Sequence, residues 1–199
     1  MASFYRRLII RPAFERSIRA NFSLRSRLLH AGCGTGQVDS RLMSQFDIVG
    51  LDHSARAIEL YVATNGETAE AKIGSIFELP FPDSSFQGVY NLGVMEHFPR
   101  QEIVAALREF HRVLTPEGKI VLWWPPERGT SVMILKVASA VLKIFASKQS
   151  ESLFPTECSR IQTRENTREI LAEAGFILKE FRLGIGDLYT QVLVVATKK

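Results

Sequence analysis

The tightest constraint on this chain is the run Gly32-Cys33-Gly34-Thr35-Gly36. An apolar strand pattern, Leu28-Leu29-His30-Ala31, leads into it, and helical spacing through Val38, Leu42 and Met43 follows, which predicts a first crossover helix over Gln37–Phe46. Three glycines in five residues leave backbone rather than side chains as the local surface, so the chain can turn sharply and a ligand can come close. A helix opening just after such a turn points free N–H groups at that ligand. Strand, glycine loop and helix in this order make the first unit of an α/β sheet, with the ligand at the carboxyl end of the strand.

The glycines also limit the ligand. The dinucleotide fingerprint is G-x-G-x-x-G, whereas here the spacing is Gly32-x-Gly34-x-Gly36, with Gln37 at the third dinucleotide position. No G-K-[ST] phosphate loop is present, and no Lys or Arg follows the glycines until Arg41. Nothing here neutralises a pyrophosphate. Sixteen residues after Gly36, the segment Ile48-Val49-Gly50-Leu51-Asp52 reads as a second strand ending in an acid, and a carboxylate there can accept both hydroxyls of a ribose. A ribose acceptor beside a glycine loop without phosphate counter-charges suits a nucleoside with an amino-acid tail, such as S-adenosylmethionine.

On Ala31–Gly36 and Asp52 the chain resembles the class I S-adenosylmethionine-dependent methyltransferases. Gly74-Ser75-Ile76-Phe77-Glu78-Leu79-Pro80-Phe81 resembles their G-D-x-x-x-L-P-F segment, with Ser75 for the acid. Phe86–Phe98 resembles F-D-x-V-x-x-x-x-V-L-E-H, with Gln87 for the acid, and Leu107–Leu122 resembles the helix and strand that follow. The family has an acid two residues before the first glycine, where this chain has His30. The resemblance implies S-adenosylmethionine as cofactor and a site made of His30, Gly32, Cys33, Gly34, Gly36, Asp52, His53, Ser75, Ile76, Asn91 and Leu92. The loop would lie against the amino-acid end, Ser75 and Ile76 along the adenine, and Asn91 and Leu92 near the methionine part. His97 is the candidate base, with a loop-holding role for Glu96 and His97 as the alternative. No metal is expected.

The rest of the chain fits one α/β domain, a doubly wound, mostly parallel seven-stranded sheet of Rossmann-like methyltransferase type. A leading amphipathic helix is predicted over 13–26 by Phe14, Ile18 and Phe22. Ser54 caps a helix Ala55–Ala63 closed by Asn65-Gly66, and Ala71–Ile73 and Phe86–Asn91 are the third and fourth strands. Ile103, Leu107, Phe110, Val113 and Leu114 mark a periodic helix over 100–113, with His111, Arg108 and Arg112 as its solvated side. A turn at Thr115–Gly118 opens a fifth strand, Lys119–Trp124; Thr163 caps a helix Arg164–Ala174, and Phe176–Leu183 and Gln191–Thr197 close the sheet. The resemblance implies that the last strand inserts antiparallel between the fifth and sixth.

Two segments lie outside this minimal plan. Residues 1–29 hold seven Arg against one acid, a charge of +6 in a chain of formal charge +4, so 1–27 is read as a basic N-terminal helix whose charges are a solvated face. Residues 131–148 carry a wide apolar face with a narrow basic stripe. This inserted helix (130–148) is expected as a lid over an apolar acceptor pocket, with Trp123-Trp124 beneath it. Lying on a membrane or packing as an ordinary helix are its other readings; it is too short and too charged to span a bilayer. Leu8-Ile9-Ile10 is too short for the apolar core of a signal peptide, and two cysteines, Cys33 and Cys158, make no disulfide framework, so a cytoplasmic setting is expected. The expected function is methyl transfer to a small, lipophilic acceptor. The fourth strand ends in Asn91-Leu92-Gly93-Val94 instead of the Asn/Asp-Pro-Pro-Tyr/Phe of base methyltransferases, which disfavours nucleic acid. The alternative is an inactive cofactor-fold protein that binds through its basic arm or apolar helix.

Overall fold

The computed structural model describes residues 10–126, 163–183 and 191–199. The inserted 130–148 helix and its expected role as a lid lie outside these residues. The elements in chain order are α1 (Arg11–Asn21), β1 (Arg27–Ala31), β2 (Asp47–Asp52), α2 (Ala55–Asn65), β3 (Glu70–Ile73), β4 (Phe86–Leu92), a single 3-10 turn at Met95–His97, α3 (Arg100–Val113), β5 (Leu114–Trp124), α4 (Arg164–Glu173), β6 (Phe176–Leu183) and β7 (Val192–Lys198). The strands form one seven-stranded sheet in the order β3-β2-β1-β4-β5-β7-β6. β3, β2, β1, β4 and β5 run parallel, and β7 is antiparallel to both β5 and β6. The expected doubly wound sheet and its antiparallel last strand are both observed.

Each face of the sheet has its own core, because neighbouring residues of a strand point to opposite sides. On one face Leu29, Val49, Val89, Ile120 and Leu122 pack with Ile103, Leu107 and Phe110 of α3 and Ile170 and Leu171 of α4. On the other, Leu28, Ile48, Tyr90 and Val121 pack with Phe14, Ile18 and Phe22 of α1 and its exit. Each of these three α1 anchors is at most 8 % exposed, so each contributes about 1.5–3 kcal/mol of transfer free energy. Gly88 makes this contact possible, since a Cβ there would run into the Phe22 ring.

Both predicted caps form: Ser54 Oγ accepts from Ala57 N at 3.2 Å and Thr163 Oγ1 from Asn166 N at 3.1 Å.

Three expectations are corrected. Gln37–Phe46 is not a regular helix but a succession of turns. Asp39, Leu42 and Gln45 donate to carbonyls three residues back, while Met43 and Phe46 donate four back. The Asp39 side chain is wholly buried and tied to the sheet, which anchors the segment at its start and leaves it irregular. Trp123 and Trp124 belong to opposite cores, as adjacent strand residues must, so they cannot both line the underside of one lid; Trp123 Nε1 donates to Ser17 Oγ of α1 at 3.0 Å. Finally, Arg112 is not a solvated side chain. Its guanidinium bonds Glu109, Asp83 and the carbonyls of Leu79 and Phe81, clamping the β3–β4 connection to α3.

The basic face of α1 is partly engaged as well. Arg11 bonds Glu15 and Ser40, and Arg19 bonds Glu15 and Gln45, fastening the helix to the turns that follow β1. No helix among the described residues is long and apolar enough to cross a membrane.

Candidate cofactor site

Because β1 is flanked by β2 on one side and β4 on the other, the chain reverses its winding there, and the crevice outside the carboxyl ends of those strands is where ligands bind in such sheets. Four successive strand ends deliver the expected residues to that edge: Gly32–Gly36 after β1, Asp52 at the end of β2, Ser75 and Ile76 after β3, and Asn91 and Leu92 at the end of β4.

The glycine loop is held from within. Gly32 and Cys33 donate their N–H groups to Leu51 O at 2.8 and 2.9 Å, and Gly36 donates to Cys33 O at 3.0 Å. All three glycines have positive φ, between 52° and 75°. Two of them also have no room for a side chain: a Cβ on Gly32 would stand 2.6 Å from Val94 Cγ2, and one on Gly36 would strike Tyr61 and Asn65. Gly34 differs, since a Cβ there meets nothing within 4 Å. That position opens onto free space.

Asp52 is aligned by two backbone donors. Its Oδ2 accepts from Gly34 N at 2.9 Å and its Oδ1 from Ser54 N at 3.0 Å. Two of its lone-pair sites are thereby used, which leaves capacity for a ligand. His53 stands 3.4 Å from Asp52 Oδ1, with its side chain 91 % exposed. Ser75 is exposed and its hydroxyl accepts from Phe77 N at 3.1 Å, closing a small turn, while Ile76 is buried in the core. Leu92 is half-buried. Asn91 is wholly buried, yet neither its amide nitrogen nor its oxygen has a hydrogen-bond partner. A buried, unsatisfied amide is costly, and a polar ligand in the crevice would relieve that cost. On the 3-10 turn, Glu96 is buried with Oε1 3.3 Å from where a Cβ on Gly93 would stand, and the half-buried His97 keeps Nδ1 without a partner.

His30 lies beneath the loop. It is paired in register with Gly50 of β2 and Tyr90 of β4, and it is 2 % exposed. Its Nδ1 is 2.6 Å from Asp39 Oδ2, and Tyr90 donates its hydroxyl to Asp39 Oδ1 at 2.8 Å. Tyr61 reaches the same region across Gly50, where a Cβ would stand 2.8 Å from its ring. Burial, then the Asp39 charge, raises the hydroxyl pKa of both Tyr61 and Tyr90. Sequence reasoning missed Asp39, Tyr61 and Tyr90. The available signal was a polar triplet around an apolar strand pair: His30, a tyrosine one strand over, and an acid three residues past the last glycine. Gln87, another departure from the family pattern, has a structural role, accepting from Arg27 N at 2.7 Å at the opposite edge of the sheet. Among the described residues no cluster of His, Cys, Asp or Glu could hold a metal ion.

The sheet order, with the glycine loop after β1 and the acid at the end of β2, is the doubly wound α/β arrangement of a Rossmann-like methyltransferase fold. Residues 29–122 match the family model described as a methyltransferase domain. Among curated proteins the chain is similar to the probable tRNA methyltransferase 9B of Homo sapiens, 31 % identical over 105 residues, covering 52 % of this chain and 22 % of that protein. It is also similar to the 27-O-demethylrifamycin SV methyltransferase of Amycolatopsis mediterranei, 32 % identical over 103 residues, covering 48 % of this chain and 37 % of that protein. The chain thus spans about a fifth of the length of the first and under two fifths of the second. Among solved structures, a methyltransferase of Methanosarcina mazei shares the fold with a TM-score of 0.71 at 19 % identity, covering 92 % of this chain and 96 % of that one.

Proposed function

We propose that this chain transfers the methyl group of S-adenosylmethionine to a small acceptor. The observation that carries the reading is the unpartnered Asn91 amide, wholly buried at the same strand edge as the Asp52 carboxylate and the open side of Gly34. When bound, the cofactor supplies a methyl group already activated on a sulfonium. The protein's task is then to hold donor and acceptor in line, at attack distance. Asp52 accepts the ribose hydroxyls with its free lone pairs. The loop at Gly34 leaves room for the amino-acid tail, and Asn91 satisfies its amide on that tail. Ser75 and Ile76 border the adenine, with Ile76 packing its face. Leu92 walls the methionine part. His97 faces the acceptor and takes a proton from it where the acceptor is a hydroxyl or an acidic C–H.

The end of β4, Asn91-Leu92-Gly93-Val94, lacks the Pro-Pro-aromatic run of base methyltransferases and favours a small molecule. The similar rifamycin methyltransferase acts on a small product, while the similar human protein is named for tRNA, so both acceptor classes enter the test. The full chain is incubated with labelled cofactor and, separately, a small-metabolite extract and total tRNA. Label should pass to the small-molecule fraction and S-adenosylhomocysteine should accumulate. Transfer to tRNA alone would overturn the acceptor class. Absence of S-adenosylhomocysteine binding by calorimetry would overturn the activity.

A further inference from the structure

A glycine loop followed by a turn is ordinarily a place for anions, because its free N–H groups converge on the ligand. This loop has spent four of its five. The N–H groups of Gly32, Cys33 and Gly36 bond carbonyls within the fold, and that of Gly34 bonds the Asp52 carboxylate. A second carboxylate, Asp39, is wholly buried just past the loop, with its own N–H bonded to Gly36 O at 3.0 Å. Its two oxygens are taken by His30 and Tyr90. Among the described residues no lysine or arginine is hydrogen-bonded or ion-paired to Asp39 or Asp52. The loop therefore sits between two carboxylates, with four of its five N–H groups occupied and that of Thr35 left over.

We propose that Asp39 is a specificity-determining residue of the cofactor site: fixed beneath the glycine loop by His30 and Tyr90, its carboxylate makes the loop select a ligand end bearing an ammonium over one that lacks it. The inference rests on the methyltransferase reading above. Asp39 does not touch the ligand, since both its oxygens are bonded elsewhere. It acts through its charge, which a buried setting screens less than water does. The same two carboxylates stand near Cys33, whose thiol is pushed upward by burial first and by Asp52 and Asp39 next. His30 is pinned in the sheet between β2 and β4, and the Tyr90 ring lies 4.6 Å from the His30 ring, centroid to centroid.

The test is calorimetric titration of the full chain with S-adenosylhomocysteine, whose tail carries an ammonium, and with its deaminated analogue. The wild type should prefer the ammonium-bearing ligand by about tenfold or more. Asp39→Asn should abolish most of that preference, chiefly by strengthening the binding of the deaminated analogue, whose tail carries only the carboxylate that Asp39 repels. Tyr90→Phe, which removes one hydrogen bond and leaves the carboxylate, should keep the preference. Retention of the preference in Asp39→Asn, or an equal loss for both ligands, overturns the proposal. So does a wild type without any preference, a result that needs no variant to fold. A wild type that binds neither ligand instead overturns the methyltransferase reading on which the inference stands, which separates the two failures.

Discussion

Asp52→Ala is the substitution whose cost the structure defines best. In the free protein it removes two hydrogen bonds, from Gly34 N at 2.9 Å and Ser54 N at 3.0 Å. Both donors lie at the open edge, where water can replace the carboxylate, so each bond is worth about 0.5–1.5 kcal/mol. The cap of α2 survives, because the Ser54 hydroxyl still accepts from Ala57 N. The folded state should lose about 1–3 kcal/mol. Ligand binding should lose more. The same change removes a charged acceptor for the ribose hydroxyls, worth about 1.5–3 kcal/mol, and it frees Gly34 to wander at the position the tail must pass. At about 1.4 kcal/mol per factor of ten, affinity for S-adenosylhomocysteine should fall roughly 10- to 150-fold from the lost acceptor alone. Calorimetry measures that fall, and a thermal melt of the ligand-free variant measures the stability term separately. An affinity within twofold of wild type would refute the assignment of Asp52, whatever the melt showed.

The remaining expectations concern the loop, the candidate base and pH. Gly34→Ala meets no neighbour but holds a positive φ, so it should cost about 1–2 kcal/mol in a melt and weaken cofactor binding further by entering the ligand's space. Gly36→Ala meets Tyr61 and Asn65 as well as a positive φ, so it should destabilise the fold more than Gly34→Ala does; the reverse order in paired melts would contradict the geometry. His97→Ala should lower turnover with cofactor affinity nearly unchanged, and a parallel drop in melting temperature and turnover would instead assign His97 to holding the loop. Cys33, Tyr61 and Tyr90 are all raised from ordinary values of 9.0, 10.0 and 10.0, chiefly by burial. Above pH 9 the unfolded chain therefore releases protons that the folded chain keeps, so stability must fall as pH rises, by up to about 1.4 kcal/mol per pH unit for each group. Melts from pH 8 to 11 should slope downward, and Cys33→Ala should flatten the portion that begins near pH 9.

Where a position's role is local, the sequence reveals it. The pattern from Leu28 to Asp52 gives the two strands and the glycine turn between them, since strand ends, positive-φ glycines and helix caps such as Ser54 and Thr163 are decided by neighbours in the chain. Pairings between distant segments were less legible. Val38, Leu42 and Met43 have helical spacing, yet Asp39 is drawn to His30 and Tyr90, nine and fifty-one residues away, and the regular helix is lost. Arg112 looks like one more charge on the outer side of an amphipathic helix until the β3–β4 connection folds over it and supplies two carbonyls. The two tryptophans of β5 read as one aromatic patch in sequence, but strand alternation sends them to different cores. In each case the competing signal is a contact across the fold, which periodicity does not register.

The position of β7 governs how the molecule can be assembled. It lies between β5 and β6 and is antiparallel to both, although it follows both in the chain. Until residues 192–198 emerge, the β5 edge lacks this partner and β6, whose only sheet neighbour among the described residues is β7, lacks its own. The nascent chain therefore carries two open strand edges, of the kind that pair with other chains. A polypeptide cut before residue 192, or read with a proline in Leu193–Ala196, would lose not one outer strand but the join between the five parallel strands and β6.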